Sequence, residues 1–188
     1  MLAIHQDAMK RLVQCGAWCL SALLANPAAG ADDARANRGN DPFFQISHAI
    51  PACPAPLGPL QTQREWRAEA HYRTERGTSC WAEGRCRLPN SYRYDAEIAE
   101  AVPRRLANLE VVVPWQEQTT LWLLLQRRFI YVQGCVAPDF DKQRFLLELG
   151  KTADVERVID QTTTDPRAAS LPYRTLAEPD KAVAQPDQ

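Results

Sequence analysis

The chain has 188 residues, 45% of them hydrophobic, and a formal net charge of −1, the composition of an ordinary globular protein. Its 22 Lys and Arg nearly balance its 23 Asp and Glu, so charge offers no argument for a nucleic-acid partner. With three histidines and no G-x-S-x-G, P-loop or H-E-x-x-H pattern, no catalytic constellation stands out; neither an enzyme nor a cofactor is expected.

Residues 1–31 read as an address label. Met9-Lys10-Arg11 supplies a short positive region, Leu12 to Ala25 an apolar core, and Ala29-Gly30-Ala31 a small-residue cleavage pattern. The apolar run falls short of the roughly 20 residues a spanning helix needs. The expectation is an exported chain, periplasmic and without a membrane span once the segment is removed. Neither Cys15 nor Cys19 follows a lipobox.

Removal of that segment leaves Cys53, Cys80, Cys86 and Cys135. An even count in an exported chain of this size points to disulfides. Three connectivities are possible. The preferred one closes a short loop with Cys80–Cys86 and staples the N-terminal region to a later strand with Cys53–Cys135. A metal site built from these thiols with His48 or His71 is the rival, but the C-x2-C spacing of a zinc ribbon is absent.

Residues 32–93 read as an extension. Asp41 to Pro59 carries five prolines, which favour extended chain over helix, with Phe43 and Phe44 as apolar anchors. Gln61 to Arg76 is helical in pattern and strongly charged; Trp66, Ala70 and Arg73 share a face, and Gly77-Thr78 is expected to end it. A cysteine-bounded loop follows, Cys80 to Cys86. The extension has too little apolar content to fold alone and is expected to wrap on what comes next.

Tyr94 to Thr164 reads as a small α+β unit. Asp95 stands at a capping position, and Ile98, Val102 and Leu106 recur every four residues. Pro103 would cost about 3 kcal/mol inside an uninterrupted helix, so a kink or restart is expected there. Two strand patterns follow, Leu121–Gln126 and Phe129–Gln133, separated by Arg127-Arg128 and closed by Gly134-Cys135-Val136. Leu121, Leu123 and Leu125 face one way, Trp122, Leu124 and Gln126 the other. Val111 to Pro114 fits an edge strand or a loop. Asp139 and Asp141 follow Pro138 at a helix start, where carboxylates cap N–H groups. Val155 to Ile159 supplies a third strand, and residues 165–188, rich in Pro, Ala, Asp and Gln, an expected disordered tail.

The order helix, strand, strand, helix, strand, carried by Asp95, Ile98, Val102, Leu106, the run Tyr131-Val132-Gln133-Gly134-Cys135-Val136, and Val155 with Val158, resembles the BON domain. The resemblance covers about seventy residues. It implies a single BON-like domain over residues 94–164 and a non-enzymatic role in the bacterial envelope, contacting phospholipid or another envelope component. The chain departs from the family in having Arg127-Arg128 where the hairpin turn usually holds glycine, Asp154 where a glycine precedes the closing valine, and Pro103 in the first helix.

The candidate contacts for an anionic headgroup or partner are Arg127 and Arg128 at the hairpin tip and Arg104 and Arg105 on the first helix. The alternative role is a structural adaptor in an envelope transport or secretion assembly, acting through protein–protein contacts.

Overall fold

Residues 34–183 are described by the structure, a computed structural model. In chain order the elements are β1 (Ala36–Asn37), β2 (Phe43–Gln45), β3 (Leu60–Gln61), α1 (Gln63–Ala82), a 3-10 turn (Ser91–Tyr94), α2 (Asp95–Glu110), β4 (Thr119–Gln126), β5 (Phe129–Val136), α3 (Lys142–Leu149) and β6 (Arg157–Thr163). The proposed leader, residues 1–31, lies outside the described residues, as do residues 184–188 at the far end.

The fold is mixed α+β, with three helices and two sheets. Alternation in β4 sends Leu121, Leu123 and Leu125 to one face, where all three are fully buried with Ile130 and Val132 of β5. Burying a side chain of this kind contributes about 1.5–3 kcal/mol. The stripe Ile98, Val102, Leu106 and Leu109 of α2, with Phe145 and Leu149 of α3, covers that face. α2 is unbroken through Pro103. The proline is exposed, so the bond it fails to donate is lost on the side of the helix open to water.

β4 and β5 form an antiparallel hairpin, and β6 adds parallel to β5. The third strand starts two residues later than expected, and Val155 packs against the core from the loop before it. The main sheet has a fourth strand. Phe43–Gln45, expected only to anchor the extension, pairs antiparallel with β4, so the order is β2-β4-β5-β6. The extension is therefore partly built into the sheet. Val111 to Pro114 forms a turn and loop, not a strand.

Glycine is demanded at one strand position. A Cβ at Gly134, whose φ is +132°, would stand 2.1 Å from the Thr120 carbonyl oxygen of the neighbouring strand. Gly77 does not end α1, which runs on to Ala82. It lets the helix pass close to the Asn90 side chain, 3.0 Å from where a Cβ would sit. Trp66, Ala70, Arg73, Gly77 and Cys80 thus form one inward stripe. Thr62 and Glu65 close the N-terminus of α1 as a capping box.

Two disulfides fasten the periphery: Cys53–Cys135 ties the proline-rich segment to β5, and Cys80–Cys86 closes the loop after α1. The segment from 165 to 183 is not the loose tail its composition suggests. Tyr173 is buried and its hydroxyl donates to the Pro54 carbonyl at 3.0 Å. Leu57 N–H donates to the Arg174 carbonyl and Leu176 N–H to that of Ala55, so the C-terminal segment zips onto the proline-rich one. Proline-rich chain that lacks internal partners is satisfied here by another non-regular segment.

Glu65 locks this junction, pairing with Arg35 at 2.6 Å and Arg174 at 2.8 Å. Burial pushes its carboxyl up, but the Thr62 N–H and side chain, with Arg174, outweigh that and hold it at about 2, against an ordinary 4.5. A depressed carboxylate stabilises the fold above its ordinary value and ceases to as pH falls through the lowered one. NMR signals of Tyr173 and Leu176 are therefore expected to move toward unfolded-chain positions between pH 4.5 and about 2. In Glu65→Gln they should stand partly shifted already at neutral pH. Unchanged signals in that variant would show that the zipper holds without the lock.

Candidate functional site

The tip of the β4–β5 hairpin concentrates the chain's unusual features. Arg127 and Arg128 have φ of +57° and +68°, the left-handed pair that a two-residue primed turn requires and that Asn-Gly normally supplies. Asp95 explains how two arginines are held there. Its carboxylate does not cap α2, whose N-terminus has no side-chain cap. It accepts the backbone N–H of Arg127 at 2.8 Å and of Arg128 at 2.7 Å. Asp95 is 2% exposed, and burial raises its carboxyl to about 6 against the opposing pull of these two N–H groups. Asp154, just before β6, is also left-handed, with φ +64°, a conformation Asp tolerates better than most residues.

Beside the turn, the Asp41 carboxylate accepts from Arg73 at 2.6 and 3.0 Å and from the Gln126 amide at 2.6 Å. The Arg73 guanidinium carbon lies 4.0 Å from the centre of the Tyr92 ring. This buried cluster binds α1 to the tip end of the sheet.

The four arginines singled out from the sequence separate. Arg128 is committed to the fold: its Nε donates to the Asp154 carbonyl at 2.8 Å, its Nη1 lies 3.2 Å from Cys86 Sγ, and it pairs with Glu156 at 3.4 Å. Arg104 and Arg105 lie along α2, donating to the carbonyls of Glu100 and Lys151, and do not join the tip. Arg127 is different. Its guanidinium rests 4.5 Å from the centre of the Phe129 ring.

Arg157, the first residue of β6, is paired in register with Phe129 and reaches the same ring at 5.6 Å. Two like charges thus share one aromatic, whose quadrupole attracts each of them. Tyr131 stands next to Phe129, ring centres 6.5 Å apart. Burial raises the Tyr131 hydroxyl, while Arg127 and Arg76 pull it the other way, so Arg76 of α1 belongs to the same electrostatic neighbourhood. Arg76 also covers the exposed Tyr72 ring at 5.3 Å. Among the described residues, Arg76, Arg127 and Arg157 have no carboxylate within ion-pair distance. Other tip arginines do: Arg87 pairs with Glu97 and Asp154.

The result is a basic, aromatic-floored patch: Arg127 and Arg157 over Phe129, Tyr131 beside it, and Arg76 over Tyr72 close by, with the paired carboxylates Glu69 and Asp95 in the same neighbourhood. Its chemistry is that of anion contact, with guanidinium forks suited to phosphate or carboxylate oxygens. Arg76 and Arg157 were not visible as site residues in the sequence. Only the parallel register of β5 and β6 brings Arg157 to Phe129, and only the packing of α1 beside the sheet brings Arg76 near Tyr131.

His48 and His71 are both exposed, and neither meets the thiols, which are paired as disulfides. Among the described residues there is no group of three or more His, Cys, Asp or Glu that could hold a metal ion. No described helix is long and apolar enough to cross a membrane. Asp141 caps α3 by accepting the Arg144 N–H, while Asp139 is exposed and makes no such bond. Trp115 is buried against Phe145, and Trp122 is half-buried on the sheet face away from α2 and α3. In comparisons with known proteins, no family model, no curated protein and no solved structure matches the chain.

Proposed function

We propose that this chain is a non-enzymatic, periplasmic binding protein that contacts an anionic envelope component, foremost a phospholipid headgroup, through the tip of a BON-like αββαβ unit. The observation that carries the reading is the patch itself: Arg127 and Arg157, without carboxylate partners, held over Phe129 beside Tyr131, with Arg76 over Tyr72 close by. Two disulfides support an oxidising compartment. The helix–strand–strand–helix–strand order from Asp95 to Thr163 agrees with the family resemblance.

Each basic residue near an anionic membrane surface contributes about 1 kcal/mol. Replacing Arg127 and Arg157 by Gln should therefore weaken binding to vesicles of phosphatidylglycerol and phosphatidylcholine about 30-fold at low salt. Binding to vesicles of phosphatidylcholine alone should be weak and unchanged. Co-sedimentation measures both. Equal binding of wild type to the two vesicle types, or an unaltered double variant, would remove the tip as the lipid contact.

A further inference from the structure

Setting aside charges paired within the fold, the two ends of the sheet present opposite charge, and the topology makes this so. The tip end holds the β4–β5 turn and the starts of α2 and β6, and with them Arg93, Arg127 and Arg157, with Arg76 alongside. The other end holds the segments that enter β4 and leave α2, β5 and β6. There Glu117, Asp139, Asp141 and Asp165 are exposed, and none is ion-paired among the described residues. Glu110 stands at the same end, at the close of α2, with its Oε2 buried and without a hydrogen-bond partner. Arg144 and Arg167, also exposed at this end, offset the carboxylates only in part. At the tip, Glu97, Asp154 and Glu156 are taken up by Arg87 and Arg128, Glu69 by Arg73, and Asp95 by the turn N–H groups; Glu75, beside His71, and Glu100 offset the unpaired arginines only in part.

An eight-residue strand separates the ends by about 26 Å. The Debye length at physiological salt is about 8 Å, so neither end neutralises the other within one molecule. A net charge of −1 also leaves little overall repulsion between copies. We infer that the arginine patch at the tip receives the acidic end of a second copy of this chain, so that copies associate head to tail. The contact is heterologous: it uses different surfaces on the two partners and repeats into rings or open chains. Arg127 and Arg157, already held over Phe129, would meet Glu117 and Asp139 of the next copy, and complementary potentials would set the register. The inference goes beyond lipid binding and does not rest on it. An anionic vesicle and a second copy would compete for the same arginines.

Sedimentation velocity of the purified protein provides the test, at about 20 mM and about 500 mM salt, which bracket a Debye length above and below the physiological one. Concentration-dependent oligomers are expected at low salt and monomers at high salt. Arg127→Glu with Arg157→Glu should weaken association at least tenfold, and so should Glu117→Arg with Asp139→Arg. Mixing the two variants should restore it, because each reversed end meets an end of opposite sign on the other chain. Recovery on mixing also establishes that both variants are folded. Wild type that stays monomeric at low salt, or a mixture no more associated than its components, overturns the inference. Vesicle binding by the Glu117→Arg, Asp139→Arg variant, whose tip is intact, keeps the two proposals apart: self-association can fail while lipid binding stands, and the reverse.

Discussion

Replacing Cys53 and Cys135 together by alanine is expected to lower stability by about 4–5 kcal/mol, against about 2 kcal/mol for the Cys80, Cys86 pair. The difference follows from the lengths of chain closed, sequence separations of 82 and 6. A longer loop has more unfolded conformations for the cross-link to remove, with logarithmic growth. For a protein of this size the larger loss corresponds to a fall in melting temperature of about 8–20 °C. The surroundings of the long-range bridge make it more than a tether. Thr120 bonds both the N–H and the carbonyl of Ile50, and the Tyr173 hydroxyl lies 3.6 Å from Cys53 Sγ and 3.9 Å from Cys135 Sγ. The bridge is thus the point where the proline-rich segment, β5 and the C-terminal segment meet. Limited proteolysis of the Cys53, Cys135 variant should cut first between residues 46 and 59 or between 164 and 176. Calorimetry on the two double variants settles the order. Equal losses, or a larger loss for the Cys80, Cys86 pair, would contradict this account.

Much of the helical and strand pattern was legible because it is local. Ile98, Val102 and Leu106 repeat at helical spacing, and Leu121, Leu123 and Leu125 alternate at strand spacing; both sets form the core. The preferred cysteine pairing also matches the structure. What escaped the sequence depends on partners distant along the chain. Gly77 looks like a helix stop because glycine weakens a helix, yet Asn90 presses against it and the helix continues. Phe43–Gln45 has no signal of its own for joining a sheet; it is a strand because β4 offers a free edge. The C-terminal segment has the composition of disordered chain, but Tyr173, Arg174 and Leu176 find partners in Pro54, Glu65 and Ala55. The site was half-legible for the same reason. Arg127 is conspicuous at a turn, whereas Arg157 becomes a site residue only through strand register.

The hairpin turn gives the second large effect. Asp95→Ala leaves the N–H groups of Arg127 and Arg128 without their acceptor; an unsatisfied donor costs about 1–3 kcal/mol when buried, and these half-buried ones fall at the low end. Relief from burying a carboxylate offsets part of this, so a net loss of about 1–3 kcal/mol at neutral pH is expected. Without the carboxylate, two arginines held at positive φ would each carry about 1–2 kcal/mol of backbone strain. Arg127→Asn with Arg128→Gly suits those angles, so adding these changes to Asp95→Ala should recover at least about 1 kcal/mol. In the wild-type background the same pair should recover less, because Asp95 already holds the turn.

The pH dependence is a separate signature. A folded-state value near 6, above the ordinary 3.8, means that this group's contribution is complete below pH 3.8 and is lost as pH rises through 6. Asp95→Asn has no such proton, so its stability curve should lack the decline that wild type shows between those values. Chemical denaturation across that range, on wild type and the variants, decides the matter. Strictly additive effects of Asp95→Ala and the turn substitutions would mean that Asp95 does not hold the turn. The presentation of Arg127 over Phe129 would then need another cause. Coupled effects would link a buried carboxylate at the start of α2 to the arginine that the tip holds over Phe129.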